Sequence, residues 1–375
     1  MAVSEGLLPE EVLSDGKQLF GDLSEWIRES DLALLNLECP LTSRGKPLTK
    51  TGPNLKGSSS VLQAVKQTGF SLVGLANNHI LDYGADGVQD TIANLDYHQI
   101  GYFGADESLA KARKFHIRTV NGVRIAFCGM AEHEFSIAEK DSAGANPLDI
   151  ISFQRELEEQ QGAYDVLIVL LHGGAEHYPY PTPDLQKTCR FLVECGASAV
   201  VCQHSHCAGC HEYYRGKPIV YGQGNFFFPK TQSMTEPWSQ GLLLKLCFNM
   251  DSNSNKVKME LFPTLQTVST VREMPLEMKT RFLKDYNIRS NNVIDENFVR
   301  DRWTEWCMVK MDQYIPLLLG YGRIRRRIYR LLRKKCLERN QRRFLVMKNI
   351  VSCETHRETI QMILKSLSAT NNKNL

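Results

Sequence analysis

The stretch LANNHILDYG, Leu75 to Gly84, gathers two amides, an imidazole and a carboxylate just behind the apolar run Phe70 to Ala76. A short run that is apolar without alternation reads as a central strand covered on both faces. The polar heads behind it then sit at the strand's carboxyl end, where open α/β sheets bind their ligands. Three more runs repeat the pattern. Leu32 to Glu38 ends in Asn36 and Glu38, Val166 to Gly174 carries His172 near its end, and Ser198 to His206 ends in His204 and His206. Between these runs lie helix-like segments, Gly57 to Thr68, Asp86 to His98 and Thr182 to Cys195, the last opening with a proline and an acid suited to a helix start. Strand alternating with helix predicts an α/β fold.

A second pattern is local. KFHIRTVNGVRIAFCGM places Asn121-Gly122 between two strand-like runs, a strong hairpin signal. EYYRGKPIVYGQGNFFF does the same around Arg215-Gly216-Lys217, and GLLLKLCFNMDSNSNKVKMELFPTLQTV reads as a third hairpin with a polar turn. Hairpins combined with βα units predict two mixed sheets packed face to face, with helices outside. Lys17 to Ile27 has helical spacing, so Gly21-Asp22 within it reads as a surface acid. Beyond Pro275 the pattern is helical and increasingly charged, which divides the chain into residues 1–275 and a helical, basic region 276–375.

With 42% hydrophobic and 23% charged residues, the chain falls outside the disordered and fibrous classes. No run approaches the roughly 18 uncharged residues of a membrane span, and the start MAVSEGLLPEEV has no basic segment followed by an apolar one, so a soluble, cytoplasmic protein is expected. Eleven scattered cysteines fit reduced thiols, and the single CxxC, Cys207 to Cys210, has no second pair to build a zinc ribbon. Charge is uneven. Arg323 to Arg343 holds eleven basic residues and one acid, leaving 34 basic and 41 acidic residues elsewhere, a net −7. Within that stretch Ile324, Ile328, Leu331 and Leu332 share one helix face. Such a helix can dock on the acidic body, lie on an anionic membrane surface, or bind an acidic polymer. No recognised nucleic-acid motif accompanies it.

Taken singly, the polar strand ends have plain readings: Glu38 can bond a turn, Asn78 can cap a helix, and His172 can be a satisfied core imidazole. Taken together, Glu38, Asn78, His172, His204 and His206 offer oxygen and nitrogen donors suited to Mn, Zn or Fe rather than to an all-oxygen Ca or Mg cage. His204 and His206, alternate residues on a strand, are expected to face one way.

NLECPLT (Asn36 to Thr42), LANNHILDYGADGVQDTIANLD (Leu75 to Asp96), LHGGAEHYPYPTPDLQ (Leu171 to Gln186), VVCQHSH (Val200 to His206) and GKPIVYGQGNFFF (Gly216 to Phe228) together resemble the CapA family of poly-gamma-glutamate capsule biosynthesis proteins, related to calcineurin-like metallophosphatases. The resemblance runs from about Phe20 to Thr270. It implies a metallophosphatase-like sandwich of two mixed sheets with one or two divalent ions at the strand edge. Glu38 would bridge the two ions, Asn78, His172 and His204 would ligate one of them, and His206 the other. His79 would serve the leaving oxygen, and Asp82, three residues on, would either orient His79 or cap a helix. One piece departs from the family: an apolar first strand ending in Gly-Asp is not found before Leu32, so the natural start lies upstream or the second ion is poorly held.

The resemblance makes a phosphoester or a related bond the expected target, with an anionic polymer as the alternative ligand of a non-catalytic assembly factor. An amidase acting on gamma-glutamyl or cell-wall bonds is a third reading, for which no Ser or Cys triad spacing is visible.

Overall fold

Each of the four apolar runs contains a strand in the computed structural model, which describes residues 1–2, 8–229, 235–250 and 257–372. β1 (Ala33–Asn36), β2 (Phe70–Gly74) and β3 (Gly101–Phe103) form a parallel sheet in that order. β4 (Ala105–Asp106) follows, then the hairpin β5 (His116–Val120) and β6 (Val123–Ala131), then β7 (Gly144–Ala145), which pairs with β4. β8 (Val166–His172), β9 (Ala199–Gln203), β10 (His211–Tyr214) and β11 (Lys217–Tyr221) complete a mixed six-stranded sheet of order β10-β11-β9-β8-β6-β5. β12 (Gln240–Phe248), β13 (Val257–Gln266) and β14 (Val271–Glu273) form an antiparallel sheet.

The hairpins sit where the turn residues put them. Asn121 and Gly122 have φ of 50° and 82°, Arg215 and Gly216 50° and 77°. Two consecutive left-handed residues make the turn whose twist matches the strands it joins. The third pair, β12 with β13, also forms, and residues 251–256 of its turn lie outside the described residues.

One apolar layer holds the sheets together. Leu72 and Phe103 from the parallel sheet meet Phe127, Ile168, Leu170 and Val201 from the six-stranded sheet, with Leu244 and Leu246 of β12 packed against them. Helices cover both outer faces. Gly16–Phe20, Leu23–Arg28 and Val61–Thr68 bury Leu19, Phe20, Leu23, Ile27 and Val65 on one side. Ile150–Glu159 and Pro183–Glu194 bury Phe153, Leu157, Leu185 and Leu192 on the other. The single helix expected over Lys17 to Ile27 is two helices, because Gly21 turns left-handed at φ 47° between them.

The expected pair of packed sheets is present with one interruption. Between the edges of β1 and β12 lies a slot of about 410 Å³, lined by Leu34, Ile125, Phe127, Leu170, Leu244 and Leu246 among others. Met1 lies beside the end of β1: its nitrogen donates to Asn36 O at 2.7 Å, and its carbonyl accepts from Glu38 N at 2.7 Å. Burial pulls the Met1 ammonium below its ordinary pKa.

Compact units run Met1–Trp303 and Thr304–Leu375. The helix Leu276–Asn292 lies in the first, because Phe282 and Tyr286 pack with Leu242 and Met274. The second unit contains most of the helix Glu296–Leu318 and the helices Arg323–Leu331, Arg333–Arg339, Gln341–Ser352 and Glu354–Asn372. Among the described residues no helix is long and apolar enough to cross a membrane.

Candidate metal centre

β1, β2, β8 and β9 carry their carboxyl ends to one place because all four run parallel to a neighbour, β1 with β2 and β9 with β8. Asn77 fixes the first pair. Its Nδ2 donates to Leu37 O at 2.8 Å and Leu75 O at 3.0 Å, and its Oδ1 accepts from His79 N at 3.0 Å. This amide therefore shapes the loop, while Asn78 beside it faces the cluster.

His172 stands at the centre. Its Nε2 lies 3.0 Å from Asn78 Oδ1, 3.2 Å from His204 Nδ1 and 3.7 Å from Glu38 Oε1. Glu38, His172 and His204 are buried and present donor atoms that all lie within 4.8 Å of one another. His206 reaches the other side of the carboxylate, with Nε2 3.7 Å from Glu38 Oε1, and its Nδ1 lies 3.0 Å from Asn225 Oδ1. The rings of Trp238 and Phe228 stand 4.8 Å and 5.2 Å from that of His206, measured between centroids.

Strand alternation does not bring His204 and His206 together. β9 ends at Gln203, and both histidines lie in the following turn with left-handed φ of 90° and 52°. Positive φ is uncommon for residues with a side chain and is tolerated where the surrounding structure enforces it.

The electrostatics leave buried acceptor atoms unmet. Burial, first, and then the facing imidazoles of His204 and His206 push His172 well below the ordinary histidine range, so its ring is neutral. Glu38 Oε1 and His172 Nδ1 are buried with no hydrogen-bond partner. Buried polar atoms are otherwise almost always paired.

A second group adjoins the first. His79 Nδ1 lies 2.6 Å from Asp82 Oδ2, and the same oxygen accepts from Leu55 N at 2.6 Å. Lys50 Nζ sits 2.5 Å from Asp82 Oδ1 as an ion pair without hydrogen-bond alignment, and 3.2 Å from His79 Nδ1. A ring nitrogen that close to a carboxylate carries the proton, which leaves Nε2 free for other work. Lys50 arrives on the loop after Thr42, which Leu48 N ties to Asp82 O at 2.8 Å.

Sequence reasoning did not single out four residues here. Lys50 has no local signal in a loop rich in Gly, Lys and Ser. Glu134 accepts from Asn78 Nδ2 at 2.7 Å, and Glu132 is raised above the usual carboxyl range chiefly by burial. Gly173 admits Glu132, since a Cβ there would come 2.7 Å from its carboxyl carbon. Asn225 was legible, because it follows β11 in GQGN much as Asn78 follows β2.

A parallel, a mixed and an antiparallel sheet packed together, with a carboxylate, an amide and three imidazoles gathered at strand ends, define an α/β protein with a candidate metal centre at its strand edge. The profile of the family described as "Bacterial capsule synthesis protein PGA_cap" matches residues 3–230, and the chain belongs to that family. It is 31% identical over 228 residues to the capsule biosynthesis protein CapA of Bacillus anthracis, covering 58% of this chain and 55% of that protein. It is 29% identical over 212 residues to the PGA biosynthesis protein CapA of Bacillus subtilis (strain 168), covering 56% of each. A probable polyglutamine synthesis accessory protein of Mycobacterium tuberculosis is 29% identical over 211 residues, covering 52% of this chain and 55% of that protein. The chain thus spans about half the length of the curated relatives it matches. Among solved structures, a hypothetical protein from Thermus thermophilus superimposes with a TM-score of 0.42 at 14% identity, over 69% of this chain and 94% of that one. A 5'-nucleotidase precursor from the same organism gives 0.36 at 15% identity, over 60% and 44%. Both likenesses are loose.

Proposed function

We propose that Glu38, Asn78, His172, His204 and His206 hold one or two divalent ions, Mn, Zn or Fe, and that the domain hydrolyses a phosphoester or related bond in capsule-polymer synthesis. The observation that carries this reading is the convergence on His172 Nε2 of three groups able to offer a lone pair: Asn78 Oδ1, His204 Nδ1 and Glu38 Oε1. A single proton can satisfy one of them, whereas a cation satisfies all. The partnerless Glu38 Oε1 fits the same need.

When bound, such ions polarise a phosphoryl oxygen and lower the pKa of a coordinated water. The chain's own residues supply the rest. Asp82 accepts from His79 Nδ1 and fixes the ring, so that Nε2, once it has taken up a proton of its own, can pass that proton to the departing oxygen and return to the neutral ring. Lys50 balances the Asp82 charge. The names of the relatives, which speak of capsule biosynthesis, PGA biosynthesis and polyglutamine synthesis, support placing the substrate in polymer synthesis of that kind.

The test is metal analysis of the purified chain together with turnover of an aryl phosphate. Bound ions and turnover abolished by His79→Ala support the hydrolase. A second reading, a binder of anionic polymer without catalysis, draws on the small cavity of about 70 Å³ beside Glu38, His204 and His206. Polymer binding with no turnover in the ion-loaded protein would favour it.

A further inference from the structure

The helix Arg323–Leu331 puts Ile324, Ile328 and Leu331 at i, i+4 and i+7, which at about 100° per residue makes one narrow strip. In the structure these side chains are 76%, 49% and 84% exposed, and Leu332, just past the helix end, is 49% exposed. Arg325 and Arg327 flank the strip on its two sides, and Arg323, Arg326 and Arg330 fill the remainder. The helix bears no acid. Tyr329 lies off the strip, is 2% exposed and sits against Asp312 of the preceding helix, so the anchored side and the apolar side differ.

We propose that this helix is a docking surface for an anionic lipid membrane, with Ile324, Ile328 and Leu331 entering the headgroup boundary and the flanking arginines meeting lipid phosphates. Charge complementarity decides the occupant. Eleven basic residues against one acid between Arg323 and Arg343 would repel the same stretch of a second copy, and an acidic protein surface would meet the arginines while offering the apolar strip nothing to enter. A nucleic acid would engage the arginines and leave the strip in water. An anionic lipid surface answers both halves of the helix at once. Nine residues extend about 13 Å, too short to span a bilayer, so the helix lies in the plane of the interface.

The experiment sediments the full chain with vesicles of equimolar phosphatidylglycerol and phosphatidylcholine, and with vesicles of phosphatidylcholine alone. Binding to the anionic vesicles only, weakened by added salt, is the expected result. Replacing Ile324, Ile328 and Leu331 together by Ser, which leaves the charge intact, should weaken binding about tenfold or more. Arg325→Gln with Arg327→Gln, which leaves the strip intact, should do likewise. Circular dichroism reports whether each variant keeps its helices; should the serine variant lose them, the glutamine variant decides. Equal binding to neutral vesicles, absence of binding, or duplex DNA binding with the serine variant still fully bound to anionic vesicles would each overturn the proposal.

Discussion

Lys50 Nζ and Asp82 Oδ1 lie 2.5 Å apart with side chains 2% and 0% exposed. A buried pair of this kind contributes little over apolar residues of the same size, but losing one member strands the other. Lys50→Met should therefore destabilise the chain by about 3–5 kcal/mol. Adding Asp82→Asn to Lys50→Met should recover most of that loss. Urea denaturation of Lys50→Met, Asp82→Asn and the double variant closes the cycle, and a double variant that loses the full sum of the two single losses would show that the two residues do not act as a pair.

His79 is fixed by Asp82, and among the described residues it makes no hydrogen bond to the atoms clustered on His172. Its removal should leave ion content unchanged while turnover falls about 10²- to 10⁴-fold, the range of a single acid or base. Parallel elemental analysis and rate measurement separate the two. Loss of the ion in His79→Ala would make it a structural support of the ligands.

Glu38 should show the opposite division. Its Oε1 is buried without a partner, so Glu38→Gln should leave the ion-free protein at least as stable while abolishing ion binding. In the parent chain, a hundredfold excess of ion over its dissociation constant should add about 2.7 kcal/mol of stability. Thermal melts with and without Mn read this difference, which the variant should lack.

Glu132 carries a pH prediction. Burial raises its native pKa above 4.5, so the folded state holds the proton more tightly than the unfolded state. Its ionisation therefore costs stability as pH rises from 4.5 through the raised native value, and the cost is complete above it. Glu132→Gln should raise the Tm at neutral pH and lose that advantage in acid below 4.5. A gain that persists in acid would assign it to packing.

Elements whose reason is local were readable in sequence. The four apolar runs contain strands because each needs cover on two faces, and Asn121-Gly122 turns because two left-handed residues in succession favour Asn and Gly, whereas in Arg215-Gly216 only the glycine is of a favoured type. Gly21 split a helix that spacing alone made continuous. His204 and His206 do lie near Glu38, but strand alternation is not the reason, since their backbone conformation follows from the turn and not from the pleat. Lys50 could not be read, because what marks it is distance to Asp82, and a loop lysine in sequence is indistinguishable from a solvated one.

The slot between β1 and β12 interrupts the packed sheets with apolar side chains from both, Leu34 on one side and Leu244 and Leu246 on the other. A void of that size leaves its lining short of the dispersion contacts a filled core would supply, so a substitution that enlarges a side chain there meets space before it meets atoms.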